Sequence, residues 1–260
     1  ALPIAQALAA GADVVITGRC VDSAVTLGPL IHEFGWSPTD YDLLAAGSLA
    51  GHVIECGAQA TGGLHTDWEQ IPDWANIGYP IIECHADGTF VVTKPAGTGG
   101  RVLAAAVAEQ VLYEIGDPGA YVLPDVVCDF RIVRVAQVGD DRVAVAGARG
   151  LPPTAAYKIS ATYMDGFRCS GMLVIIGIDA AAKARRTGAA IIERTRTLLA
   201  KAGLPDFSAT HVEVIGAESI YGPYSRAGNA REVMLRVVVN HVSKQALDIF
   251  AREIAPAGTS

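Results

Sequence analysis

The sequence predicts a mixed α/β protein. Residues 1–117 read as the N-terminal part of a Rossmann-like layered α/β domain, and residues 118–260 as an α+β sandwich domain. Three observations lead there. The opening stretch, ALPIAQALAAGADVVITGRCVDS, alternates helix, short apolar strand and loop before a second helix, which is the order of a parallel sheet. Beyond residue 118 the chain turns to strand-length segments separated by Gly, Asp and Pro, with only two long helical stretches. Between the two lies Gly116-Asp117-Pro118-Gly119, a cluster of turn formers that suits a boundary.

In order, residues 2–10 read as a helix stopped by Gly11, and Asp13 to Gly18 as a strand. Gly18 to Ser23 is the loop at that strand's carboxyl end, where open α/β sheets bind ligands. Arg19 and Asp22 therefore mark an expected site edge. The competing reading is a surface pair, with Asp22 or Ser23 capping the helix that runs to about residue 34. Residues 79–93 read as a hairpin turning at Ala86-Asp87-Gly88, and 101–115 as an alanine-rich helix. Strands are expected at 126–137, 142–147, 155–163, 167–178, 209–215 and 232–239, and helices at 180–202 and 243–254.

The most informative stretch is residues 43–63, LLAAGSLAGHVIECGAQATGG. It reads as a buried helix whose polar residues His52, Glu55, Cys56 and Gln59 follow at i, i+3, i+4 and i+7 and so share one face. Burying a carboxylate or imidazole unpaired is costly, so such a stripe faces a pocket, a partner network or a ligand. His52 and Glu55 are candidate acid and base groups, and Cys56 a candidate nucleophile. Equally, the four could serve only to satisfy one another and the nearby backbone. Two potential ligands fall short of the three or four a metal site needs, so no metal is expected.

The second informative stretch is Lys94-Pro95-Ala96-Gly97-Thr98-Gly99-Gly100-Arg101, which leads from a strand into a helix. A glycine-rich loop opening a helix presents backbone N–H groups and a positive dipole end to phosphate or carboxylate, and Lys94 and Arg101 add charge. Gly97, Thr98, Gly99 and Gly100 would form the cradle. The alternative is a loop whose glycines serve conformation alone. It matches neither the Walker A pattern nor the dinucleotide GxGxxG, and no cofactor is implied.

Composition sets the outer limits. The chain has 260 residues, 51% hydrophobic and 18% charged, with a net charge of −7 and no basic block, which argues against a nucleic-acid partner. No apolar run approaches the roughly eighteen residues of a membrane span. Five scattered cysteines without a CxxC pair suit reduced thiols in the cytoplasm. The chain opens directly on a helix without an initiator Met, as expected of a segment cut from a longer chain. The Ala/Gly-rich helices and the Trp68/Trp74 loop suit a homo-oligomer.

Three blocks together resemble the acyclic terpene utilisation AtuA family: GADVVITGRCVDSAVTLGPLIHEFGW, DLLAAGSLAGHVIECGAQATGG, and VVTKPAGTGGRV with the LYEIGDPGAYVLPDVVCDF that follows. They span roughly residues 8–130, and family members extend further at the N-terminus. The resemblance implies a place in the breakdown of acyclic terpenes such as citronellol and geraniol, which proceeds through acyl-CoA thioesters. It carries over no catalytic residue. The expectation is a cytoplasmic enzyme acting on an acyl-CoA or carboxylate, with hydratase, lyase or isomerase chemistry. The other reading is a non-catalytic subunit of an acyl-CoA-processing complex.

Overall fold

The computed structural model describes residues 1–259 and divides into two compact units, Ala1–Ile159 and Ser160 to the end. The division lies beyond the Gly116–Gly119 turn at which the sequence places it. The strands after that turn return to the first unit: residues 143–145 pair with 90–92, and residues 149–151 pack on the helix at 41–55.

The first unit is built around one helix. α1 (Leu2–Ala9), α2 (Ala24–Phe34) and α3 (Tyr41–Glu55) follow one another, and α3 is buried along nearly its whole length. Leu44, Ala45, Leu49, Ala50 and Val53 are all at most 1% exposed, which leaves no solvent face. Small residues make this possible. A Cβ on Gly47 would come within 2.7 Å of the Leu27 side chain, and one on Gly51 within 2.7 Å of the Ser23 backbone, so α2 and its entry loop press directly onto α3. α3 ends at Glu55 and does not continue to residue 63, because Gly57 takes a left-handed conformation and a 3-10 turn over Gly57–Thr61 follows.

Two antiparallel sheets complete the unit. β1 (Ile81–Cys84) and β2 (Phe90–Thr93) form the expected hairpin, and β5 (Arg134–Gly139) and β6 (Arg142–Ala146) extend it in the order β1-β2-β6-β5. β3 (Tyr121–Val122), β4 (Val127–Asp129) and β7 (Arg149–Leu151) form the second sheet. α4 (Ala104–Leu112) is shorter than the expected 101–115 and packs on α3.

The mixed α/β class is as the sequence predicts, but the Rossmann-like arrangement is not what forms here. Residues 13–18 make no strand, and Val14 and Ile16 are 77% and 92% exposed. A parallel strand is stable only with neighbours to hydrogen-bond, and every ladder between strands in this unit is antiparallel.

The second unit is a two-layer α+β sandwich. β8 (Phe167–Ile176), α5 (Ala180–Lys201), β9 (Ala209–Ile215), β10 (Glu232–His241) and α6 (Lys244–Ala257) follow in order. The sheet runs β8-β10-β9, antiparallel throughout, and both helices cover one face. The core joins Ala184, Ile191 and Leu199 of α5 to Leu235 and Val237 of β10 and Phe250 of α6. The expected strand at 155–163 does not form.

Candidate active site

The C-terminal end of α3 gathers the chain's unusual polar chemistry. His52 is 1% exposed, and its Nδ1 lies 2.8 Å from Glu55 Oε1, a contact set by their i, i+3 spacing. The contact is close but lies off the line of a hydrogen bond, so both ring nitrogens of His52 lack a hydrogen-bond partner. Ser48, one turn earlier on the same face, has an unpartnered hydroxyl, and so do Ser23, pressed against Gly51, and the carbonyl oxygen Oε1 of the Gln110 side chain. Among the described residues these are the buried side-chain oxygens and nitrogens that find no partner. Weak thiol contacts do exist, Cys128 to Ser48 and Cys56 to Gln110, but a thiol is a poor hydrogen-bonding group. An unsatisfied buried polar atom costs about 1–3 kcal/mol, so a cluster of them works against folding stability.

The surrounding elements fix this cluster. Gln110, on α4, donates from Nε2 to the His52 carbonyl oxygen at 2.8 Å. Tyr121, on β3, sets its ring 6.1 Å from the His52 imidazole. Burial raises the Tyr121 hydroxyl above its ordinary value, reinforced by the charge of Glu55 and then by Cys128, Asp22 and Glu114. Burial also pushes the Cys56 thiol up. Its contact with Gln110 opposes this, while Glu55, Glu114 and Asp22 add to the rise. The setting is therefore acidic and favours the thiol over the thiolate, the reverse of what an activated nucleophile needs. Burial pushes Cys128, behind Ser48, up to about 12.

The structure thus brings His52, Glu55, Cys56 and Asp22 into one neighbourhood. It does not bring in Arg19, which is exposed and pairs only loosely with Asp22 at 3.6 Å, as in the surface-pair reading. Gln59 leaves the stripe because α3 has already ended.

The glycine-rich loop packs against the turn that follows α3. Its donors are largely committed within the protein. Gly99 N–H donates to Asn76, Gly100 to Pro72 and Arg101 to Thr61, all at backbone oxygens. The N–H groups of Val102 and Ala104 donate to the Asp141 and Gln137 side chains. The Lys94 ammonium, almost buried, donates to the Thr98 carbonyl at 2.8 Å and lies 3.3 Å from Asp141. Thr98 donates its hydroxyl to Pro95, and Gly97 and Gly100 adopt positive φ. This is the geometry of a conformational loop. It sits just before α4, whose first residue Ala104 is about 9 Å along the helix axis from Gln110, and its Arg101 reaches Thr61 in the turn that follows α3.

Sequence reasoning missed Ser48, Gln110 and Tyr121. Gln110 leaves a signal, being polar within the apolar run of α4. A further contact, with His65 buried, joins its Nδ1 to Glu109 Oε2 at 2.9 Å. Burial alone would raise the Glu109 carboxyl, but hydrogen bonds with His65 and Thr66 bring it below its ordinary value. Among the described residues, no group of three or more His, Cys, Asp or Glu is placed to hold a metal ion. No helix among them is long and apolar enough to cross a membrane.

Comparison of the chain with curated proteins gives no match, and comparison with solved structures gives none either. A family model does match, over residues 1–260, and its description is the acyclic terpene utilisation family protein AtuA. The match runs the length of the chain, well past the blocks at 8–130 that carry the resemblance in sequence. The chain belongs to the acyclic terpene utilisation AtuA family.

Proposed function

We propose that this protein is an acid–base enzyme of acyclic terpene breakdown that acts on an acyl thioester. The observation that carries the proposal is the buried His52 imidazole, 2.8 Å from Glu55 and unpartnered at both nitrogens. An imidazole held this way can take a proton from carbon or oxygen and return it, with the Glu55 carboxylate stabilising the imidazolium between the two steps. The unpartnered Ser48 and Ser23 hydroxyls and Gln110 carbonyl offer further hydrogen-bonding positions. The reaction classes that fit are hydration, isomerisation and lyase chemistry beside a thioester carbonyl.

The acidic surroundings favour a thioester over a free carboxylate. Asp22, Glu55 and Glu114 all act on Cys56 and Tyr121, and a substrate carboxylate placed there would meet like charge. The uncharged acyl end of a thioester meets no such penalty. Its phosphates would lie away from this cluster, and the 94–101 loop offers them few unused donors.

The test is incubation with citronellyl-CoA, geranyl-CoA and the corresponding free acids, followed by mass spectrometry and NMR of the products. Turnover of a thioester and not of the acids is expected. Loss of a general acid–base group lowers rates by about 10²–10⁴-fold, and His52→Gln and Glu55→Gln are each expected to fall in that range. Full activity in both variants would remove the assignment.

A further inference from the structure

In the second unit the basic side of α5 takes no part in the chemistry described so far. Lys183, Thr187, Ala190 and Arg194 follow at intervals of three and four residues and so share one side of the helix, with Arg186 next to them. From Lys183 to Arg194 that side is about 16 Å long.

It faces α6 across a groove. α6 presses onto β8 at Gly171, where the Ile254 side chain leaves no room for a Cβ. α5 presses onto the sheet at Gly188, against Val212 and Leu235. Over Leu173 to Ile175 the two helices leave a groove of about 900 Å³, which is within the range of small-molecule sites. Leu173, Ile175, Ala190 and Ile191 give it an apolar lining, and Lys183, Arg186 and Arg194 edge it on the α5 side.

The charge is unevenly spread. Arg194 lies 3.3 Å from Glu253 of α6, so at that end the positive charge is balanced. Lys183 and Arg186 are exposed, and among the described residues no ion pair includes either. The chain as a whole carries −7, so an apolar groove that ends on two unbalanced cations runs against its general charge.

We propose that this groove binds an amphipathic carboxylate, a small molecule with one acid group on an apolar chain. The acid would meet Lys183 and Arg186, whose guanidinium fork can donate to both carboxylate oxygens. The chain would lie over Leu173 and Ile175 beside Ala190 and Ile191. An uncharged chain would leave the two cations unused, and a short acid would leave the apolar lining in water. The site is built from the second unit alone and is independent of the reading of His52.

The test is calorimetric titration of the chain with decanoate, with decanol as the uncharged comparison and butyrate as the short one. Methyl NMR locates the ligand. Decanoate alone is expected to bind, and to move the methyl signals of Leu173, Ile175 and Ile191. The double variant Lys183→Glu/Arg186→Glu should weaken it about tenfold or more, because both charged contacts are reversed. Ala190→Trp, which fills the groove, should abolish binding. Arg185→Glu changes a cation of α5 outside the lining and should leave binding as it is. All four positions are exposed, so far-UV circular dichroism should stay that of a folded chain in each variant. No binding of decanoate, or equal binding of decanol or butyrate, would overturn the site. So would binding that survives the double reversal, an equal loss in Arg185→Glu, or methyl shifts confined to other parts of the chain.

Discussion

His52 is a polar side chain set in an apolar core. It is 1% exposed, lies among apolar neighbours of α3, and hydrogen-bonds through neither ring nitrogen. If its role is chemical, His52→Leu removes two unsatisfied atoms at similar volume. Each such atom costs about 1–3 kcal/mol, so the melting temperature should stay level or rise while turnover is lost. A clear drop in melting temperature would make His52 a structural residue. Cys56 belongs to the same neighbourhood, where burial and three nearby carboxylates push its thiol up and so favour the thiol over the thiolate.

At the scale of elements, the glycines of α3 set how closely the helices approach. An alanine at Gly51 would meet the Ser23 Cα and carbonyl at 2.7 Å, atoms of a backbone that cannot rotate away. Overpacking of this kind costs about 1–3 kcal/mol, and Gly51→Ala should lower stability by that amount in urea unfolding. Gly18→Ala, where a Cβ meets nothing, should leave stability nearly unchanged. The start of α3 is tied to β7 by Asp42. The Gly150 N–H and the Arg149 guanidinium hold its carboxyl below the ordinary 3.8. A carboxyl lowered on folding adds stability that is present above its ordinary value and lost as pH falls through the folded one. Melting temperature should therefore fall on acidification below about pH 4, and Asp42→Asn should make that fall shallower.

For the molecule as a whole, the second unit was more legible in sequence than the first. Its helices at 180–202 and 243–254 and its strands at 209–215 and 232–239 form close to where periodicity places them. Each is long, with one clear apolar face. The first unit misleads at 13–18 because a short apolar run cannot say whether neighbours exist to pair with it. It misleads again at 57–63, where a left-handed Gly57 turns the chain before the polar stripe is complete. His52, Glu55 and Cys56 were readable because polar residues on an otherwise apolar helix stand out. Ser23, Gln110 and Tyr121 come from separate elements, and only the tertiary packing on α3 assembles them.

The most direct measurement is the nitrogen chemical shifts of the His52 imidazole, assigned by comparison with His52→Gln, with and without a saturating acyl thioester. Entry of substrate into the cluster gives one unpartnered nitrogen a hydrogen-bonding or protonating partner, and the expected result is a large shift confined to His52 among the six histidines. A thioester that binds or is turned over while the His52 nitrogens do not move would contradict its assignment as the proton carrier.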